Sequence, residues 1–172
     1  MEINIRSVLQ EEVPILQKMG WETFEHAFGP LNTKEDIEGY LNKSFSLEKI
    51  KEEYSDPHSF FYFALFNDTP IGYLKLNVKD SQTDYQDHNG MEVERIYVLP
   101  EYQGKKIGEQ LIRFSIESAK NEKAELLWLG VWDQNTAAIR FYQRMGFKAF
   151  DSHSFLLGTD EQTDIVMKIQ LS

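Results

Sequence analysis

Two short stretches hold the side chains best suited to chemistry. The first, "QGKKIG", follows an apolar alternating run and Pro100, and opens an amphipathic run. A helix start carries unpaired N–H groups and a partial positive charge, and glycine lets backbone come close to a ligand. Gln103, Gly104, Lys105, Lys106, Ile107 and Gly108 therefore read as an anion cradle suited to a pyrophosphate, with the two lysines adding charge. The alternative is an ordinary turn before a surface helix. The stretch is not a Walker loop, since no Lys-Ser or Lys-Thr follows Gly108, and it lacks the G-x-G-x-x-G dinucleotide fingerprint. The second stretch, "NTAAIRFYQRMGF", sets Tyr142 seven residues after Asn135. Two helical turns bring them within about 20° of one face and about 10 Å apart along the axis. An amide and a phenol pointing one way could line an extended ligand. Otherwise Tyr142 is a core aromatic with its hydroxyl at the edge.

Other chemistries find less support. There is no cysteine, so no thiol nucleophile, disulfide or thiolate metal site. His26, His58, His88 and His153 are scattered and no H-E-x-x-H occurs, so no metal site is expected. No G-x-S-x-G elbow appears, although sequence alone does not decide a Ser-His-Asp arrangement.

The periodicities supply the elements that must position these residues. Strands are expected over 3–8, 59–66, 71–78, 91–99, 125–132, 147–152 and 163–171, with a hairpin turn at "NDTP". Helices are expected over 11–28, as one or two pieces between 32 and 56, from about 106 to 121, and over 133–146 with Asp133 as cap and Gly146 as stop. The order β-α-α-β-β-β-α-β-α-β-β is a mixed α/β domain. No repeat, linker or low-complexity tract divides the 172 residues, so residues 1–172 read as one domain. A net charge of −10 argues against nucleic acid or anionic membrane as partner and suits a cationic ligand. No apolar signal core or membrane-length run is seen, which points to a soluble cytoplasmic protein. A homodimer is compatible with this reading.

Together the two motifs resemble the GNAT superfamily of acetyl-CoA-dependent N-acetyltransferases. That family carries [RQ]-x-x-G-x-[GA] at a helix start and, further on, N-x-x-A-x-x-F-Y-x-x-x-G-F. The departure is Lys106, where the family usually has glycine. The resemblance implies an α/β fold with a mixed, mostly antiparallel twisted sheet flanked by helices. A closer likeness is to the PaiA-type acetyltransferases of spermidine and spermine. It is carried by "ETFEHAFG", "NTKEDIEGYL", "MEVERIYV", "WLGVWDQN" and the tail "HSFLLGTDEQTDIVM". The tail weighs most, because a polar run such as "GTDEQTD" gives no packing reason to recur.

The family implies acetyl-CoA as co-substrate, no metal, and a small cationic amine as acceptor. It implies Tyr142 as the acid that protonates the leaving thiolate. Glu94 becomes the candidate base acting through water; its alternative is a strand carboxylate paired with a nearby Lys or Arg. The backbone of Ile96, Tyr97 and Val98 would hold pantetheine as an added strand edge, an N–H of 95–98 would polarise the thioester carbonyl, and Asn135 would bond the cofactor arm. Trp21, Glu22, Phe24, Glu25 and Tyr40 fall in the helical pair that would wall the acceptor site, where carboxylates and aromatics suit ammonium groups; the alternative, favoured for any single one of them, is a solvated helix face with a core stripe. Asp80, Asp84 and Asp87 could gather cations, but such a run is more often a solvated loop. Two alternatives stay open: a protein N-terminus or other small amine as acceptor, and a non-catalytic CoA-binding sensor.

Overall fold

The computed structural model describes residues 1–83 and 89–172. Asp84, Asp87 and His88 lie outside the described residues. Seven strands form one sheet among the described residues: β1 (Asn4–Ser7), β2 (Ser59–Phe66), β3 (Thr69–Val78), β4 (Gly90–Val98), β5 (Leu126–Trp132), β6 (Lys148–Leu157) and β7 (Asp160–Gln170). Their spatial order is β1-β2-β3-β4-β5-β7-β6, antiparallel throughout except at the parallel β4–β5 pair. Helices α1 (Val13–Phe28), α2 (Lys34–Ser44) and α3 (Leu47–Tyr54) cover one face, and α4 (Ile107–Asn121) and α5 (Thr136–Arg144) the other. No helix among the described residues is long and apolar enough to cross a membrane.

The run "SFFYFALF" is apolar without a break because β2 is covered on both faces. Phe61, Phe63 and Leu65 pack with Leu16, Ile37, Leu41 and Ile50 of α1–α3, whereas Ala64 belongs to the opposite core with Leu111 and Ile112 of α4. Along β4 the same alternation sends Tyr97 toward α1–α3 and Ile96 and Val98 toward α4.

Of the one or two helices expected between 32 and 56 there are two, capped by Thr33 and Ser46. Two features differ from expectation. Asn135, not Asp133, caps α5 through a bond from Ala138 N–H to Asn135 Oδ1 (3.2 Å). The tail is also one long hairpin, since β6 and β7 continue to a turn at Gly158, where φ is +64°. An added Cβ at Gly158 would fall within the Asp36 carboxylate. That carboxylate accepts from Thr159 N–H at 3.0 Å, and Gln162 Nε2 donates to Asn32 Oδ1 at 2.8 Å. The segment "GTDEQTD" thus has a packing role after all: it docks the hairpin against the α1–α2 connection.

Candidate active site

The β4–β5 pair opens like a fork. Ladder pairing joins Gly90–Val93 to Leu126–Leu129 and stops there, although β4 runs on to Val98 and β5 to Trp132. The cause is a bulge. Lys75 pairs with Arg95 and Leu76 with Val93, so Glu94 is the extra residue, and an extra residue bends a strand away from its neighbour. Beyond it, the edge of Arg95–Val98 toward β5 lacks a strand partner among the described residues. One acceptor there is already engaged, because Gln103 Nε2 donates to the Val98 carbonyl at 3.1 Å.

The fork leads to the start of α4. The bond from Gln110 N–H to Lys106 O (3.2 Å) leaves the N–H groups of Ile107, Gly108 and Glu109 without an intrahelical acceptor. Gly104 (φ +77°) and Lys106 (φ +63°) are both left-handed, turning the chain so that this end faces outward. Glycine accepts that conformation freely and lysine does not, which locates the cost of the departure at Lys106. Lys105 and Lys106 are exposed at the cradle. Gly108 lies beneath α5, where a Cβ would stand 3.6 Å from Phe141 Cζ, an ordinary contact. A loop with free N–H groups, two cations and an open strand edge fits a phosphorylated pantetheine chain.

Tyr142 is held beside the fork by Phe141 (ring centroids 5.3 Å) and by Phe147 edge-on (5.7 Å). Among the described residues its hydroxyl makes no hydrogen bond, and desolvation pushes it up to about 12, so it stays protonated at neutral pH. It also acts electrostatically on the Tyr97 hydroxyl, which burial holds well above the ordinary phenol range. The Asn135 side-chain oxygen is committed to the α5 cap, which leaves its amide N–H groups for a ligand.

Glu94 sits in a closed ring of charges. Lys75 Nζ lies 2.7 Å from Glu94 and 2.9 Å from Glu53, while Arg95 reaches Glu53 at 2.7 Å and Glu94 at 3.0 Å. Burial alone would raise its carboxyl, but Arg95 and Lys75 prevail and hold it at about 2. Held so far below the ordinary carboxylate range, it is poorly suited to take a proton from an alkylammonium group. The ion-pair alternative describes Glu94, and its geometry leaves little basicity. Two residues away, Glu92 accepts from Asn77 Nδ2 (2.9 Å) and Thr83 N–H (2.8 Å). Desolvation, with the Glu94 charge adding to it, pushes Glu92 up to about 7.

On the α1–α2 side of the fork, half-buried residues of β5, β6 and β7 gather. Gly130, the first β5 residue past the pairing, is exposed, and a Cβ there would stand 3.3 Å from Asp164 Oδ2 and 3.6 Å from His153 Cε1. His153 and Asp164 pair across β6–β7, their side chains 3.8 Å apart, and Trp132 is the partner of Asp164 on β5. Trp132 meets Phe28 of α1 at 5.9 Å. Tyr40 of α2 lies close enough to Asp164 and Arg95 to feel both charges, while burial raises its hydroxyl.

The expected acceptor residues divide. Tyr40 lies near Asp164 and Arg95, and Trp21 is partly buried against the core of α1–α3. Phe24 is a core residue at 5% exposure, stacked on Tyr40 at 4.6 Å, because it falls on the inward stripe of α1. Glu22 and Glu25 lie on the exposed face of α1, with Glu22 3.9 Å from Lys18. Asp80 accepts from or pairs with His58 at 2.8 Å, at the far end of β2. Sequence reasoning missed Gly130, Trp132, His153 and Asp164. Strand alternation gives each a face, but only the β5–β7–β6 register brings them together.

Comparison with known proteins adds the following. Residues 19–147 match the model of the acetyltransferase (GNAT) family. An uncharacterized N-acetyltransferase from the pepI 3′ region of Lactobacillus delbrueckii subsp. lactis is 39% identical over 166 residues, 96% of each chain. The spermidine N(1)-acetyltransferase of Thermoplasma acidophilum is 28% identical over 156 residues, covering 88% of this chain and 92% of its own. The crystal structure of the PaiA N-acetyltransferase of Thermoplasma acidophilum in complex with coenzyme A superposes with a TM-score of 0.79 at 26% identity, over 99% of this chain and 100% of that one.

Proposed function

The chain belongs to the acetyltransferase (GNAT) family and is an acetyl-CoA-dependent N-acetyltransferase, and from that premise we propose that it acetylates a primary amine of a polyamine such as spermidine or spermine. The observation that carries the acceptor class is the group of side chains beside the fork. It joins a carboxylate, Asp164, to aromatic faces from Trp132, Phe28 and Tyr40, the surroundings that hold ammonium groups by ion pairing and cation–π contact. The net charge of −10 raises the local concentration of a polycation. Likeness to a spermidine N(1)-acetyltransferase over most of both chains points the same way.

Acetyl-CoA supplies an activated acetyl thioester. The protein's own residues do the rest. The N–H groups of residues 104–109, with Lys105 and Lys106, hold the pyrophosphate, and the open edge of Arg95–Val98 holds the pantetheine as an added strand. A backbone N–H of that edge donates to the thioester carbonyl as charge develops on its oxygen. Tyr142, kept protonated by its apolar setting, gives its proton to the departing sulfur. The Glu53–Lys75–Glu94–Arg95 ring fixes the bulge that keeps the fork open.

The test is a panel of amines assayed by thiol release and by the mass of the product. Spermidine and spermine should gain one acetyl group on a primary nitrogen. A protein N-terminal peptide outperforming every polyamine would overturn the acceptor class while leaving the acetyltransferase activity in place.

A further inference from the structure

An alkylammonium acceptor must lose a proton before its nitrogen can attack, and Glu94 is tied up in ion pairs with Lys75 and Arg95. Among the described residues, the remaining groups near the fork are few. Glu92 is 3% exposed, its carboxylate turned to Thr83 and Asn77. His26 is exposed on α1, and His58 is engaged with Asp80 away from the fork. His153 is different. Its ring lies over Gly130, the first residue where β5 has parted from β4, at a distance where an added Cβ would make ordinary contact, 3.6 Å from Cε1. Asp164 stands 3.8 Å from its Nε2, placed to stabilise an imidazolium. Imidazole is also the side chain whose ordinary proton affinity lies nearest neutral pH.

We propose that His153, supported by Asp164, is the proton acceptor for the incoming amine. The role rests on the acceptor being an alkylamine, as in the function proposed above. A ring nitrogen of His153 takes one proton from the ammonium group, and the freed lone pair forms the bond to the acetyl carbon as the carbon–sulfur bond breaks. The nitrogen sheds a second proton as the amide forms, and the sulfur receives one from Tyr142, which is reprotonated in turn. The imidazolium releases its proton to solvent. The sum is ammonium plus thioester giving amide, thiol and one proton.

The experiment compares His153→Gln with the wild-type enzyme on two acceptors: the best alkylamine of the panel, and 2,2,2-trifluoroethylamine, which is already uncharged at neutral pH. Loss of a general base should lower kcat for the alkylamine on the order of 100-fold, and for the fluorinated amine by less than about threefold. Coenzyme A affinity should be unchanged, and Asp164→Asn should show a smaller loss in the same pattern. Equal losses on both acceptors would make His153 structural and overturn the proposal, as would full activity on the alkylamine. Failure of the polyamine reading would appear separately, in the acceptor preference of the wild-type enzyme.

Discussion

Replacing Glu92 by glutamine should stabilise the protein, and by an amount that depends on pH. The carboxyl is 3% exposed and sits at about 7 against an ordinary 4.5, because burial and the Glu94 charge oppose ionisation. The gap of about 2.5 pH units corresponds to roughly 3 kcal/mol. The folded protein binds this proton more tightly than the unfolded chain, so Glu92 costs nothing below pH 4.5. The cost grows as pH rises from 4.5 to 7 and is constant above. Glutamine reproduces the protonated acid: its oxygen accepts from Asn77 and Thr83 N–H, and its NH₂ can donate to the Thr83 hydroxyl, which in the wild-type protein donates to the second carboxyl oxygen. Thermal melts of both proteins from pH 5 to 8.5 read the difference. At 172 residues, roughly 3 kcal/mol corresponds to a gain of about 6–12 °C at pH 8, shrinking toward zero near pH 5. A difference that stays flat with pH, or a variant less stable than wild type at pH 8, would refute the reasoning.

Three further outcomes follow from the site. Tyr142→Phe keeps the ring contacts to Phe141 and Phe147 and removes the donor, so turnover should fall on the order of 100-fold with little change in melting temperature; full turnover where chemistry limits the rate would exclude the acid role. Gly108→Ala meets only ordinary contacts, whereas Gly108→Glu sets a carboxylate where the pyrophosphate should lie, so calorimetry should find coenzyme A binding sharply weakened in the second variant while both stay folded. Lys106→Gly relieves a left-handed lysine and should raise the denaturation free energy by about 1 kcal/mol, and an unchanged midpoint would show that the φ of +63° carries no strain.

The elements were legible where period and caps agreed. The amphipathic run after Gly108, the "NDTP" hairpin and the helix holding Asn135 and Tyr142 all fall where alternation and turn residues put them. The sheet's long tail hairpin was not, because "SFLLGTDEQTD" is polar on the face that docks onto Asn32 and Asp36, and long-range hydrogen bonds rather than an apolar pattern fix it. The bulge at Glu94 was equally hidden. "MEVERIYV" alternates smoothly, and only its pairing with β3 reveals the extra residue, the charge ring around it and the opened fork. Phe24 misled for a related reason: an aromatic near carboxylates on one helix looks like a cation site until the helix face is known. His153 and Asp164, eleven residues apart on two strands, meet only through the hairpin register.

The central claim is that this acetyltransferase selects a polycationic amine, and kcat/KM for spermidine against butylamine, at low and at physiological ionic strength, tests it most directly. A second ammonium gains contacts with Asp164 and the acidic field that a monoamine cannot make. Spermidine should therefore lead clearly at low salt, and its lead should shrink toward physiological ionic strength as the Debye length falls to about 8 Å. Equal values for the two amines, or a preference for butylamine at low salt, would contradict the account.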